Sequence, residues 1–194
     1  MSRRQELSRK TLEVEITGSL ELDGTGTSKV DTGLGFLDHL LTALSKHSGI
    51  DLEITARGDT EVDDHHTVED CAITIAEGFD RALGDRSGIV RFGSAYAPLD
   101  ESLARAVVDL SGRGWPEVSL GITREQIGDV ATENITHFFR SLAISGRMAL
   151  HVDVLRGDND HHKAEASFKA TALALRMAIA RSEAGGVPST KGVL

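Results

Sequence analysis

The 194-residue sequence predicts an α+β fold made of two similar halves, each a small sheet with helices packed on one face. Two observations predict it. Stretches that alternate apolar and polar residues, typical of half-buried strands, are followed in both halves by stretches with apolar residues at helical spacing. A paired-histidine motif also occurs once in each half, which indicates an internal duplication. We place the halves at residues 1–86 and 87–194, because turn-forming residues cluster at 85–88.

The first half begins with an alternating stretch at residues 12–17, which predicts a strand, and a Gly-Thr-Gly turn follows it. Residues 36–45 carry leucines at helical spacing and predict a helix, and residues 50–56 alternate again and predict a second strand. A second helix follows, with apolar residues three or four positions apart on its core face: Val68, Cys71, Ala72, Ile75, Phe79 and Leu83.

The second half predicts a similar succession of strands, helix, strand and helix. The expected elements are strands near residues 90–97, 104–109 and 117–120, a helix around 135–143, a strand at 148–155 and a helix from about 162 to 180. A Gly-Gly pair and Pro188 end this last helix.

Composition narrows the class of protein. The formal net charge of −9 argues against nucleic-acid binding, which needs a basic face. A single cysteine, Cys71, cannot form an internal disulfide and favours a reducing compartment. The N-terminus lacks the apolar stretch of a signal peptide, and no run of apolar residues is long enough to span a membrane. We therefore expect a cytoplasmic protein.

The paired histidines carry the chemistry. The first motif is His65-His66-x-x-Glu69, and the second is a matching pair with its own glutamate. Each motif follows an aspartate, an Arg-Gly-Asp segment lies shortly before it, and a lone histidine lies further upstream at a similar distance. An isolated histidine pair usually lies in a solvated turn or caps a helix, but two copies of the same arrangement in one chain are improbable by chance. The second motif is His161-His162-x-x-Glu165, and the two lone histidines are His39 and His137.

The spacing indicates metal ligands. Glu69 can share a helical face with either His65 or His66. Adjacent histidines point in different directions, so one pair can serve two metals or bridge two sites. Six imidazoles and two carboxylates make two sets of three nitrogens and one oxygen, which suit Mn, Fe, Co, Ni or Zn with open coordination positions. The absence of thiolates disfavours a structural zinc site.

Five segments resemble signature segments of the imidazoleglycerol-phosphate dehydratase family, and the likeness runs in order from about residue 9 to 194. They lie at residues 35–41, 63–70, 160–162, 168–170 and 189–192. The sequence stops just after the last segment, so we expect the monofunctional form without a fused phosphatase.

The resemblance implies fold, reaction and assembly. The fold would be a duplicated ribosomal-protein-S5-domain-2-like unit. The reaction would be that of a lyase in histidine biosynthesis, which dehydrates D-erythro-imidazole glycerol 3-phosphate to imidazole acetol phosphate. Family members use two Mn(II) ions per active site, although other divalent metals suit the same ligands. They assemble into a 24-subunit homo-oligomer with active sites where subunits meet. No nucleic acid or membrane partner is implied.

The resemblance also assigns residues. Glu13 would be the acid/base carboxylate, although Val14 follows it where the family usually has Thr. His47 would be a supporting pocket residue, and Asp100 and Glu101 are further candidates to line the site. The implied metal ligands are His39, His65, His66, Glu69, His137, His161, His162 and Glu165, and the implied phosphate contacts are Arg91, Arg113, Lys169, Ser189 and Lys191.

The implied reaction explains why these residue types are needed. The substrate C–H bond next to the imidazole ring has no carbonyl to accept its electrons. A metal on a ring nitrogen favours the imidazolate, which can expel the hydroxyl through a diazafulvene-like intermediate while a carboxylate moves the proton. Two other functions fit the same motifs: a metal-dependent hydrolase on a similar fold, and a non-catalytic metal-binding assembly.

Overall fold

The computed structural model describes residues 3–183, 185–192 and 194. In this part of the chain the elements are, in order, β1 (Arg4–Lys10), β2 (Val14–Glu21), β3 (Ser28–Asp31), α1 (Gly35–Ser48), β4 (Asp51–Gly58), α2 (His65–Leu83), β5 (Phe92–Leu99), β6 (Ser102–Asp109), β7 (Trp115–Ser119), β8 (Gln126–Ile127), β9 (Val130–Ala131), α3 (Thr132–Ser145), β10 (Ala149–Arg156) and α4 (Asp160–Ala178). None of the described helices combines the length and hydrophobicity needed to cross a bilayer.

Two four-stranded sheets repeat one topology. Their strand orders are β1-β2-β4-β3 and β5-β6-β10-β7. In each sheet the first three strands are antiparallel and the outer fourth strand, β3 or β7, runs parallel to its neighbour. The registers also match, because Arg4 pairs with Glu21 as Phe92 pairs with Asp109. The predicted α+β fold with a duplicated sheet is thus confirmed.

The helices join the two halves. Helix α2 packs on β1 and β2, and α4 packs on β5 and β6. Helix α1 contacts α4, and α2 contacts α3, so each helix pair combines one helix from either half. Phe138, Phe139 and Phe168 are fully buried where α3 and α4 meet, with ring centroids 4.6 to 5.9 Å apart. The apolar faces of the helices therefore form a core that both sheets share.

The strands differ from their predicted bounds at the N-terminus. Strand β1 was not predicted, because Leu7 is its single fully buried residue and charged side chains dominate the rest. A charged outer strand is common at a sheet edge, where it discourages pairing with other chains. The strand expected at residues 12–17 begins only at Val14 and continues to Glu21, so Glu13 lies in the turn between β1 and β2.

Candidate metal centres and active site

Both paired-histidine motifs lie in the first turn of a helix. The side chain of Asp63 accepts a hydrogen bond from the His65 backbone N–H at 2.8 Å at the start of α2. At the start of α4 the Asn159 side chain caps the backbone N–H groups of His161 and His162. Successive residues of a helix point about 100° apart, so the two histidines of each pair face different directions.

The first cluster consists of His65, Glu69 and His137. Nε2 of His137 lies 2.9 Å from Oε1 of Glu69, and Nε2 of His65 lies 3.8 Å from Oε2. The two imidazole rings stack with centroids 4.9 Å apart. One potential ligand atom from each residue lies within 4.8 Å of the other two, which is close enough for one ion to bind all three. Glu69 therefore pairs with the histidine four positions before it, not three.

The second cluster repeats this arrangement with His39, His161 and Glu165. Oε2 of Glu165 lies 2.9 Å from Nε2 of His39 and 3.3 Å from Nε2 of His161. The other carboxylate oxygen forms a 2.7 Å ion pair with Lys169. Burial opposes ionisation of Glu165, but the bonds from Lys169 and His39 outweigh it and lower the pKa to about 2. Glu165 is thus a carboxylate at neutral pH.

Each cluster mixes the two halves of the chain. His137 of the second half joins the first motif, and His39 of the first half joins the second motif. The reason is the helix packing, because α1 lies against α4 and α2 lies against α3. Each cluster brings together two nitrogens and one oxygen, whereas the sequence predicts three nitrogens and one oxygen.

The remaining two predicted ligands, His66 and His162, lie outside the clusters. Nδ1 of His66 is 3.1 Å from the Asp59 carboxylate, and Nδ1 of His162 is 2.8 Å from Oε2 of Glu101. These hydrogen bonds raise the pKa of both histidines. Their side chains are 30% and 26% exposed, so both remain accessible from solvent.

Glu13 and His47 are placed differently. The Glu13 side chain is half exposed, with Oε1 3.7 Å from Nε2 of His66. His47 is partly buried on α1, where burial and the nearby charge of Lys169 lower its pKa. Glu13 thus lies near a predicted ligand of the first motif, and His47 lies close enough to Lys169 and Glu165 for their charges to affect its pKa.

Four of the five predicted phosphate contacts line one cavity of about 550 Å³: Arg91, Arg113, Ser189 and Lys191. Arg91 is held there by hydrogen bonds to the Asp109 carboxylate and to the carbonyl of Pro188, both at 2.7 Å. The fifth, Lys169, does not line this cavity and forms the ion pair with Glu165 instead. No residue of either histidine cluster lines the cavity.

Two residues that orient the site were not singled out from the sequence. The Asp59 carboxylate lies 3.1 Å from Nδ1 of His66, and Oδ1 of the buried Asn134 accepts a hydrogen bond from Nδ1 of His65 at 2.9 Å. The repeated Arg-Gly-Asp segment was a signal for Asp59. Asn134 carries no comparable signal, because its role depends on α3 lying beside α2.

A duplicated α+β fold with two histidine–carboxylate clusters defines a class of proteins whose side chains can hold divalent metal ions. Comparison with known families specifies the member of that class. The family model described as imidazoleglycerol-phosphate dehydratase matches residues 32–175. The chain belongs to the imidazoleglycerol-phosphate dehydratase family, whose members are hydro-lyases.

Comparisons with individual relatives support the same family. An imidazoleglycerol-phosphate dehydratase of Methanothermobacter thermautotrophicus is 54% identical, over 99% of this chain and 98% of the relative. One of Phytophthora nicotianae is 60% identical over 99% of this chain, which spans only 42% of that longer protein. Crystal structures of the dehydratases of Staphylococcus aureus and Pyrococcus furiosus, the latter in complex with (S)-C348, both match with a TM-score of 0.84. The Staphylococcus aureus structure is 38% identical, and the match covers 92% of this chain and 99% of that one. The Pyrococcus furiosus structure is 35% identical, and the match covers 97% of this chain and 100% of that one. The predicted family and fold are confirmed.

Proposed function

We propose that this protein dehydrates D-erythro-imidazole glycerol 3-phosphate to imidazole acetol phosphate, with two Mn(II) ions in each active site. Membership of the family supports the dehydration and its place in histidine biosynthesis. The observation that carries the metal-dependent form is the pair of clusters, in which three potential ligand atoms lie within 4.8 Å of one another.

The residues present fit such ions. Each cluster offers two imidazole nitrogens and one carboxylate oxygen, and no thiolate. This donor set suits divalent first-row metals with positions left open for substrate. When bound, the ions would supply Lewis acidity toward a nitrogen of the substrate ring. We propose a reducing, cytoplasmic compartment for this protein, which its single cysteine favours.

We propose that a second copy of the chain completes each centre. Every cluster holds three donors, whereas His66 and His162 remain outside both clusters and partly exposed. The phosphate cavity likewise shares no lining residue with the clusters. Active sites at subunit interfaces, in a 24-subunit assembly, would bring these separate parts together.

Within such a site the chain's own side chains have distinct tasks. The guanidinium groups of Arg91 and Arg113 and the amine of Lys191 would bind the phosphate, with Ser189 as a hydroxyl donor. Glu13 would move the proton of the C–H bond, because its carboxylate is exposed and lies near His66. Lys169 would keep Glu165 ionised, and could also contact the phosphate of a substrate bound at the second cluster.

The test is turnover by purified protein. Protein stripped of metal with a chelator and resupplied with MnCl2 should convert the substrate to imidazole acetol phosphate, detected by mass spectrometry. Turnover should be lost without metal, and Glu13→Gln should lose turnover while it retains metal. Hydrolysis of acylated substrates with no dehydration would favour a metal-dependent hydrolase. Full metal content with a Glu13→Gln variant that behaves like wild type would favour a non-catalytic metal-binding assembly.

Assembly is tested separately. Analytical ultracentrifugation should give a mass of about 24 times the 20.8 kDa chain. A monomer that turns over substrate would contradict the proposal that chains share active sites.

A further inference from the structure

Glu13 and Glu101 occupy equivalent places in the duplicated fold. Glu13 lies in the turn between β1 and β2, one residue before β2 begins at Val14. Glu101 lies between β5 and β6, one residue before β6 begins at Ser102. The two sheets share topology and register, and each carboxylate lies near the second histidine of a helix-start motif, Glu13 at 3.7 Å from Nε2 of His66 and Glu101 at 2.8 Å from Nδ1 of His162. Their surroundings nevertheless differ.

Every hydrogen-bonding atom of the Glu101 carboxylate is engaged by its own chain. Oε2 lies 2.8 Å from Nδ1 of His162. Oε1 accepts from the backbone N–H groups of Asn159 and Asp158 at 2.8 and 3.2 Å, and from the hydroxyl of Ser102 at 3.0 Å. The carboxylate is therefore an anchor between the β5–β6 turn and the start of α4.

The Glu13 carboxylate is free by comparison. Its closest described contact to a charged group is the 3.7 Å approach to Nε2 of His66, and no described residue donates a hydrogen bond to it. In the first half it is Asp59, not Glu13, that contacts Nδ1 of the second histidine, because the two Asp59 carboxylate oxygens lie 3.1 and 3.2 Å from Nδ1 of His66. A backbone bond from Asp59 N–H to the Glu13 carbonyl, at 3.1 Å, holds the two acidic residues side by side.

A carboxylate beside Nδ1 fixes the histidine tautomer. An ionised carboxylate can only accept a hydrogen bond, so Nδ1 must carry the proton. The lone pair of the neutral ring is then on Nε2, the nitrogen that faces away from the anchor and is available to a metal.

We propose that Glu101 is a positioning residue that sets the ring orientation and tautomer of His162, and that Asp59 does the same for His66, which leaves Glu13 free for the reaction. The duplication thus produced two equivalent glutamates with different roles. This inference rests on the proposed function in one respect only, namely that His66 and His162 bind metal through Nε2.

Glu101→Gln tests the proposal. Its amide oxygen can still accept from the backbone of residues 158–159, so the loop is retained. Its NH2 group would then face Nδ1 of His162 and donate to it, which places the ring proton on Nε2 and blocks that nitrogen. We expect the Kd for Mn(II), measured by calorimetry on chelator-stripped protein titrated with MnCl2, to rise roughly 10- to 100-fold. Glu13→Gln should leave that Kd unchanged.

Further variants separate the possible outcomes. Asp59→Asn should raise the Kd in the same way through His66, and it decides the question if Glu101→Gln does not fold. Glu117→Gln, at an exposed position of β7, is the matched control and should bind like wild type. His162→Ala should weaken binding at least as much as Glu101→Gln.

If His162→Ala weakens Mn(II) binding and Glu101→Gln does not, Glu101 does not position the histidine. If neither variant changes the Kd, His162 is no ligand, and both this inference and the proposed ligand set are wrong. Protein that binds Mn(II) with the expected pattern but never dehydrates the substrate would contradict the proposed function alone.

Discussion

Nε2 of His137 lies 2.9 Å from Oε1 of Glu69, although the two residues come from opposite halves of a duplicated chain. The same exchange joins His39 to Glu165. Neither half therefore holds a complete cluster by itself, and the packing of α2 against α3 and of α1 against α4 is needed to form either cluster.

This exchange predicts the effect of removing a lone histidine. His137→Ala should abolish tight binding at the first cluster, because one of its two imidazoles is lost, and metal content after dialysis should fall by about half. His151→Ala is the control, since His151 is an exposed histidine on β10 outside both clusters. Metal per chain can be measured by inductively coupled plasma mass spectrometry. Unchanged metal content in His137→Ala would contradict the assignment of this cluster.

The cavity that we propose binds the substrate phosphate predicts a binding defect. Arg113→Ala and Lys191→Ala each remove a cation from the cavity lining, and a charge-assisted hydrogen bond contributes about 1.5–3 kcal/mol. We expect KM for the phosphorylated substrate to rise roughly tenfold or more, with a smaller change in kcat. Lys29→Ala, which removes an exposed lysine paired with Glu53 on the first sheet, is the control. Equal effects of the cavity and control variants on KM would place the phosphate elsewhere.

The aromatic core predicts a large loss of stability. Phe168 is fully buried, with ring centroids of Phe138 and Phe139 at 5.0 and 4.6 Å. Phe168→Ala leaves a cavity and should cost about 3–5 kcal/mol in free energy of unfolding. Val62→Ala, at a residue 65% exposed, should change it by less than about 0.5 kcal/mol. Chemical denaturation of both variants gives the comparison, and similar midpoints would contradict the described packing.

Asp51 predicts a pH-dependent contribution to stability. Partial burial opposes its ionisation, but backbone N–H groups of Thr25 and Thr27, both 2.8 Å from Oδ1, outweigh this and lower the pKa below its usual 3.8. A carboxyl with a lowered folded-state pKa stabilises the fold above its unfolded-state pKa, and the contribution is lost as the pH falls through the folded-state value. Asp51→Asn should therefore lower the Tm at pH 7, by the equivalent of about 1 kcal/mol.

The same variant gives the pH test. The Tm difference between wild type and Asp51→Asn should stay constant from pH 7 to 5 and shrink below pH 3.8. Thermal unfolding followed by circular dichroism measures it. A difference that grows toward acid pH would have the wrong sign for this carboxylate.

Local patterning predicted most elements. The helices expected at residues 36–45 and 162–180 are α1 (Gly35–Ser48) and α4 (Asp160–Ala178), because apolar residues at helical spacing face the core. Strand β1 was not predicted, since its burial depends on pairing with β2 and not on its own pattern. Strand β3, four residues long and alternately half-buried and exposed, gave too little signal.

The amino-acid sequence alone determined the fold class, the family and the types of residue in the site, because repeated motifs and periodic apolar positions are local properties of the chain. The tertiary structure decided which histidine joins which glutamate, that Glu69 lies beside the histidine four positions before it, and that Asp59 and Glu101 hydrogen-bond the remaining histidines. Those pairings depend on how helices from different halves pack. A distance between side chains remote in sequence follows from that packing and cannot be obtained from spacing along the chain.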